Sequence, residues 1–168
     1  SFARWVNTAT GRGDLGKLGR GVDELNLTFF SPRFNKARLD TLNPAFYAKL
    51  APEARAQAVK DILKFLSVGT GVLALTKLSG GDKVDVGLDP RSSDFGKIKI
   101  GNQRWDIWGG LQQWTVLFSR LLTGKTVTSK GKEVDLTSGD FGSSSRLETL
   151  GRFTRGKLSP GLSFITDL

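Results

Sequence analysis

The stretch from Pro52 to Gly81, PEARAQAVKDILKFLSVGTGVLALTKLSGG, decides how the rest of the chain is read. It is polar through Glu53-Ala54-Arg55-Ala56-Gln57, apolar from Ile62 through Leu78, and ended by Ser79-Gly80-Gly81. A helix from Pro52 to Leu78 spans about 40 Å at ~1.5 Å per residue. Its apolar part has about 17 residues, the lower limit for crossing a hydrocarbon core, and Lys64 and Lys77 sit close enough to its ends to snorkel. Ser67 and Gly71 form a small-xxx-small pair that lets another helix approach. Two environments satisfy such a segment. One is burial, within this domain or in an oligomer interface, which the marginal length favours; the other is insertion into a bilayer. On either reading Phe65, Leu66, Val68, Gly71, Val72, Leu73 and Leu75 form the membrane or oligomer interface.

Working towards the N-terminus, Ser1 to Thr8 reads as helix. Thr10–Gly21 carries five glycines among Arg12, Lys17 and Arg20, a density that breaks helix and strand alike, so it is expected to be a linker or wrapping arm. Ser31-Pro32 supplies an N-cap with proline at the first helical position. Phe34, Ala37, Arg38 and Leu42 follow at helical spacing until Asn43-Pro44 stops the run and starts a short helix with Phe46, Tyr47 and Leu50 on one side.

Towards the C-terminus, Asp82, Asp85 and Asp89 lie in an acidic loop. Their spacing lacks the alternation and terminal Glu of a calcium loop, which makes it a solvated turn with no metal. Lys97-Ile98-Lys99-Ile100 and Gln103-Arg104-Trp105-Asp106 flank Gly101-Asn102, a hairpin signal with glycine at the first turn position. Leu111, Trp114, Leu117, Phe118 and Leu121 share one face of a helix over 111–122 that Gly124 ends, so Trp114 belongs to the core stripe. A weaker hairpin is expected about Lys130-Gly131. Ser145-Arg146-Leu147-Glu148 matches a capping box opening a helix to about Arg155, and Ser159-Pro160 opens a last helix. The fold class is mainly α with one or two short β-hairpins (α+β), containing a long apolar helix and extended Gly-rich arms. Its segments are 1–50, 51–81 and 82–168, all expected to belong to one fragment of a larger polypeptide.

The 168 residues contain neither His nor Cys. That removes the thiolate nucleophile, the imidazole base and the nitrogen and sulfur ligands of zinc, and with them Ser-His-Asp triads, redox pairs and disulfides. A glycosidase needs two carboxylates flanking a cleft. The glutamates are Glu24, Glu53, Glu133 and Glu148, of which Glu148 has a capping role, so the chain is not expected to be an enzyme or to hold a cofactor. Lys and Arg number 25 against 16 Asp and Glu, a formal charge of +9 that favours polyanions. No block of five like charges occurs, which points to non-specific attraction to DNA rather than sequence recognition. Arg12, Lys17, Arg20, Arg152 and Arg155 are the candidate contacts to DNA or another anionic surface.

Asp89-Pro90-Arg91-Ser92-Ser93-Asp94-Phe95-Gly96-Lys97-Ile98, then Ile107-Trp108-Gly109-Gly110-Leu111-Gln112-Gln113, then Arg152-Phe153 and Arg155-Gly156-Lys157-Leu158-Ser159-Pro160 occur in that order. With Asn7-Thr8-Ala9-Thr10-Gly11-Arg12-Gly13, Phe30-Ser31-Pro32-Arg33 and Leu42-Asn43-Pro44 upstream, nearly the whole chain resembles the large polyvalent protein associated domains of phages. An apolar segment before the Asp-Pro-Arg-Ser-Ser string is usual in that family, and Trp114 departs from it conservatively where another aromatic is common.

The resemblance implies a module near the C-terminus of a very long virion protein that is packaged in the capsid and ejected with the genome, with no catalytic residue here. Implied partners are portal, tail or ejection proteins, further copies of the chain, phage DNA bound non-specifically and, after ejection, the host membrane. The implied location is the capsid interior or portal and tail region, then the host envelope or cytoplasm. The leading expectation is a structural module for DNA ejection; the alternative is a DNA-associated domain of a packaged anti-defence protein.

Overall fold

The structure, a computed structural model, describes residues 1–137 and 145–158. Helical segments take up 61% of the described residues, so the chain is mainly helical, with two small antiparallel sheets beside the helices. It divides into two compact units, Ser1–Leu63 with the residues from Arg152 onward, and Lys64–Gly151.

The first unit contains α1 (Phe2–Ala9), a 3-10 helix (Gly16–Gly21), α2 (Val22–Thr28), α3 (Pro32–Leu42), α4 (Pro44–Ala48) and the start of α5 (Pro52–Gly80). Its core is Trp5, Phe46, Leu50, Ala54 and Ala58, with Tyr47 and Ile62 packed against them. The one polar atom of the Trp5 ring is satisfied by Asp61, whose Oδ2 accepts from the indole Nε1 at 2.9 Å. Gln57 donates to the other oxygen at 2.6 Å.

Proline and asparagine set the helix ends as the sequence indicates. Asn43 accepts from the Ala45 amide at 3.0 Å, a side-chain N-cap. The far end of α4 is closed by Arg55, which donates to the carbonyls of Tyr47, Ala48 and Leu50 at 2.9, 2.8 and 3.2 Å. Ser31 precedes Pro32 as expected, but it adopts φ 48° and its hydroxyl makes no capping bond. Asn35 instead reaches back to the Phe30 carbonyl at 2.8 Å.

The second unit holds the remainder of α5, a 3-10 turn (Gly81–Lys83), β1 (Val84–Val86), β2 (Ile98–Ile100), β3 (Gln103–Trp105), α6 (Leu111–Thr123), β4 (Lys125–Val127), β5 (Glu133–Asp135) and most of α7 (Arg146–Arg155). The first sheet has the order β1-β2-β3, with Val84 opposite Ile100 and Ile98 opposite Trp105. Gly101 turns β2 into β3 with φ 57°, the conformation that the Gly-Asn pair predicts. Lys125 pairs with Asp135 and Val127 with Glu133 across the second hairpin. The core is Leu73, Val84 and Ile98 with Val86, Ile107 and Trp108 around it.

Three expectations are corrected. No helix among the described residues is long and apolar enough to cross a membrane. α5 is long, but its uncharged run between Lys64 and Lys77 is shorter than the ~17 residues a hydrocarbon core requires, and Ser67, Gly69, Thr70 and Gly71 dilute its middle. Thr10–Gly21 is extended only in part, because its second half winds into the 3-10 helix. Asp85 lies in β1 rather than in a loop. In the capping box Ser145 Oγ accepts from the Glu148 amide at 3.0 Å. The helix expected from Ser159-Pro160 lies outside the described residues.

Candidate functional site

In the first unit α1, the Gly-rich arm and α3 enclose a cleft of about 340 Å³ lined by Arg4, Asn7, Arg12, Gly13, Asp14 and Arg33. The arm is fixed there by backbone. Gly13 donates to the Arg33 carbonyl at 3.0 Å and Arg12 to the Asn7 carbonyl at 2.7 Å. A Cβ on Gly13 would lie 2.6 Å from both the Ala37 nitrogen and the Arg33 oxygen, so only glycine permits this approach. Arg4 is held by stacking, its guanidinium carbon 5.2 Å from the centre of the Phe46 ring. The side chains of Arg4, Arg12 and Arg33 make no ion pair among the described residues. Asp14, the one carboxylate in the lining, accepts from the Gly16 amide at 2.8 Å.

Of the five basic residues singled out in the sequence, Arg12 alone lines this cleft. Lys17 and Arg20 follow on the exposed 3-10 helix, while Arg152 and Arg155 stand on α7, both engaged in interactions of their own. Arg4, Asn7, Asp14 and Arg33 carry no joint signal in the sequence; the Gly-Arg-Gly-Asp run of Gly11–Asp14 is the nearest to one.

The Asp-Pro-Arg-Ser-Ser string in the second unit is a structural clasp. Asp89 accepts from Arg91 Nε and Nη2 at 3.0 and 2.8 Å, and Arg91 Nη1 donates to Glu133 on β5 at 2.5 Å. Lys125 donates to the other Glu133 oxygen at 2.5 Å. The Arg91 carbonyl accepts from Arg120 Nε of α6 at 2.7 Å, and Asp94 accepts from Arg104 of β3 at 2.8 Å. These bonds hold the Asp89 carboxyl below its usual range, mainly through Arg91, and that of Glu133 below its own through Lys125 and then Arg91. Burial without a carboxylate lowers Arg120. Among the described residues no group of acidic side chains is gathered as a metal site.

Two stripes can be followed along α5. Gly69 and Leu73 are buried, and Phe65, at i−4 from Gly69, continues their line while staying 40% exposed. Phe65 meets Trp108 edge-on at 5.7 Å, Leu73 is buried with Val84 and Ile98, and a Cβ on Gly69 would lie 2.6 Å from the Trp108 ring. Val68, Val72 and Leu75, at i, i+4 and i+7, form a second stripe that is open to solvent; Leu66 is exposed on the other flank. Gly71 is half-buried, with nothing within 4 Å of its Cβ position. The close approach within the chain is therefore made at Gly69 and not at the Ser67/Gly71 pair.

No family model matches the chain, and neither a curated protein nor a solved structure matches it.

Proposed function

We propose that this chain is a structural module of a large polyvalent phage virion protein, packaged near the portal or tail with the genome and ejected into the host, where it takes part in moving DNA across the envelope. The observation that carries this reading is the second apolar stripe of α5. Val68 and Leu75 are each 67% exposed and Val72 40%, although the adjoining stripe of the same helix already serves the chain's own core. An apolar face of this kind is stabilised by a neighbouring subunit, at roughly 25 cal/mol per Å² covered. The neighbours are other portal, tail or ejection proteins and further copies of the chain. Contact with the host membrane enters this reading as surface association only.

The reading contains no catalytic step. In its support, the chain lacks His and Cys, and Asp89, Asp94 and Glu133 are engaged by Arg or Lys. The arginine cleft favours a second reading, a DNA-associated domain of a packaged anti-defence protein.

The test is Val72→Asp in the full-length virion protein. On this exposed position the isolated chain should keep its stability within about 0.5 kcal/mol, yet particles should contain less of the protein or deliver their genome poorly. Normal particle content with normal ejection refutes the proposal.

A further inference from the structure

We infer that the cleft between α1, the Gly-rich arm and α3 grips the phosphodiester backbone of nucleic acid without reading its sequence. The lining is contributed by three arginines against one aspartate. Gathering like charges around one cavity is unfavourable, and here backbone bonds fix the main chain that carries Arg12 and Arg33 while a ring stack holds the Arg4 guanidinium. Each guanidinium is a planar fork whose two N–H groups match two phosphate oxygens. The Asn7 amide adds a neutral donor. The volume, about 340 Å³, lies at the lower end of the range for small-ligand sites, enough for a short piece of sugar-phosphate chain.

Two features favour a polymer of phosphates over a lipid headgroup. The lining contains no aliphatic or aromatic side chain against which an acyl chain could lie. Lys17 and Arg20 continue the positive charge along the same segment beyond the cleft, which a repeating polyanion can follow and a single phosphate cannot. The lining holds no aromatic ring on which successive bases could stack, which favours contact with the backbone over the bases.

This inference deepens the function proposed above and rests on it only in taking the packaged genome as the polymer. The experiment measures binding of the full chain to a fluorescein-labelled random-sequence DNA duplex over a salt titration. Arg12→Gln/Arg33→Gln is compared with Lys130→Gln/Lys132→Gln, which removes the same charge from the β4–β5 turn. The first pair should weaken binding about tenfold or more and reduce the steepness of log K against log salt by about 1.8, since each phosphate contact contributes ~0.9. The control should weaken it less than about threefold, and Arg12→Lys/Arg33→Lys should restore most of the salt slope. Circular dichroism and the urea midpoint check that each variant folds. If the glutamine pair does not fold, Arg12→Gln alone, with its backbone bond to Asn7 intact, should produce half the slope change.

Equal losses for the two glutamine pairs would mean bulk charge without a site, and an unchanged affinity for the first pair would overturn the cleft outright. Lost binding to phosphatidylglycerol vesicles with DNA binding intact would assign the cleft to a membrane and overturn the inference as well. A cleft that binds DNA as described, in a protein missing from virions, would leave the inference standing and remove the virion function.

Discussion

The indole of Trp5 donates to Asp61 across 56 positions of sequence, and with the packing of Trp5 among Ala54 and Ala58 this bond ties the first helix of the chain to the fifth. Trp5 is 4% exposed, and among the described residues its N–H donates to the Asp61 carboxylate. Hydrogen bonds to charged groups contribute roughly 1.5–3 kcal/mol. Trp5→Phe should lower the urea-unfolding free energy by about that much plus a smaller packing loss. Asp61→Asn retains an acceptor and should cost less; an equal or larger loss would show that the charge rather than the contact matters.

Tyr47 is the sole tyrosine, so its ionisation can be followed without interference. Burial, and then the nearby Asp40 carboxylate, push its phenol up to about 12, and the hydroxyl donates to the Thr41 carbonyl at 2.6 Å. Tyrosinate absorbance should therefore rise with a midpoint about two units above that of free tyrosine, ~10. The raised value also fixes the sign of its effect on stability. The contribution is full below about pH 10 and is lost as the pH climbs through about 12. Asp40→Asn should move the midpoint down, and an unshifted midpoint near 10 in the unaltered chain would contradict the packing around Tyr47.

Gly69→Ala and Gly71→Ala differ by two positions and should differ in sign. At Gly69 the new methyl group meets the Trp108 ring at 2.6 Å, so the helix or the ring must shift, at a cost of about 1–3 kcal/mol. At Gly71 nothing lies within 4 Å, and alanine in a helix interior should gain up to about 1 kcal/mol. Thermal unfolding followed by tryptophan fluorescence reads both. A neutral Gly69→Ala would contradict the inward placement of that face.

Arg91→Lys preserves the charge but loses the fork between Asp89 and Glu133. Amide exchange in β4 and β5 should quicken, at Val127 and Val134 above all. Because both carboxyls titrate below their ordinary values, their stabilising effect is present above about pH 4 and fades as the pH falls through the lower folded values. The lysine variant should show a weaker acid dependence of hairpin protection; identical acid profiles would dismiss the clasp.

Much of this architecture is legible where proline, glycine or asparagine forces the backbone. Pro32, Pro44 and Pro52 open helices, Gly124 closes one with φ 67°, and Gly101 turns a hairpin. These residues act locally, so their meaning survives in a linear reading. β1 does not, because three residues become a strand only by pairing with Ile98–Ile100, well downstream. The same applies to the cleft. Arg4 and Arg33 are ordinary surface arginines until Gly13 brings the arm against α3. The choice of Gly69 over Gly71 was likewise invisible, since only the position of Trp108 separates them.

The shortness of the strands has its own consequence. β3 has a partner on one side only, and all three of its residues, Gln103, Arg104 and Trp105, are exposed. A long bare edge of that kind recruits further strands and templates aggregation. An edge of three residues, with Arg104 drawn towards Asp94, offers an incoming chain too few backbone partners to take hold. The β3 edge is therefore a poor template for an incoming strand.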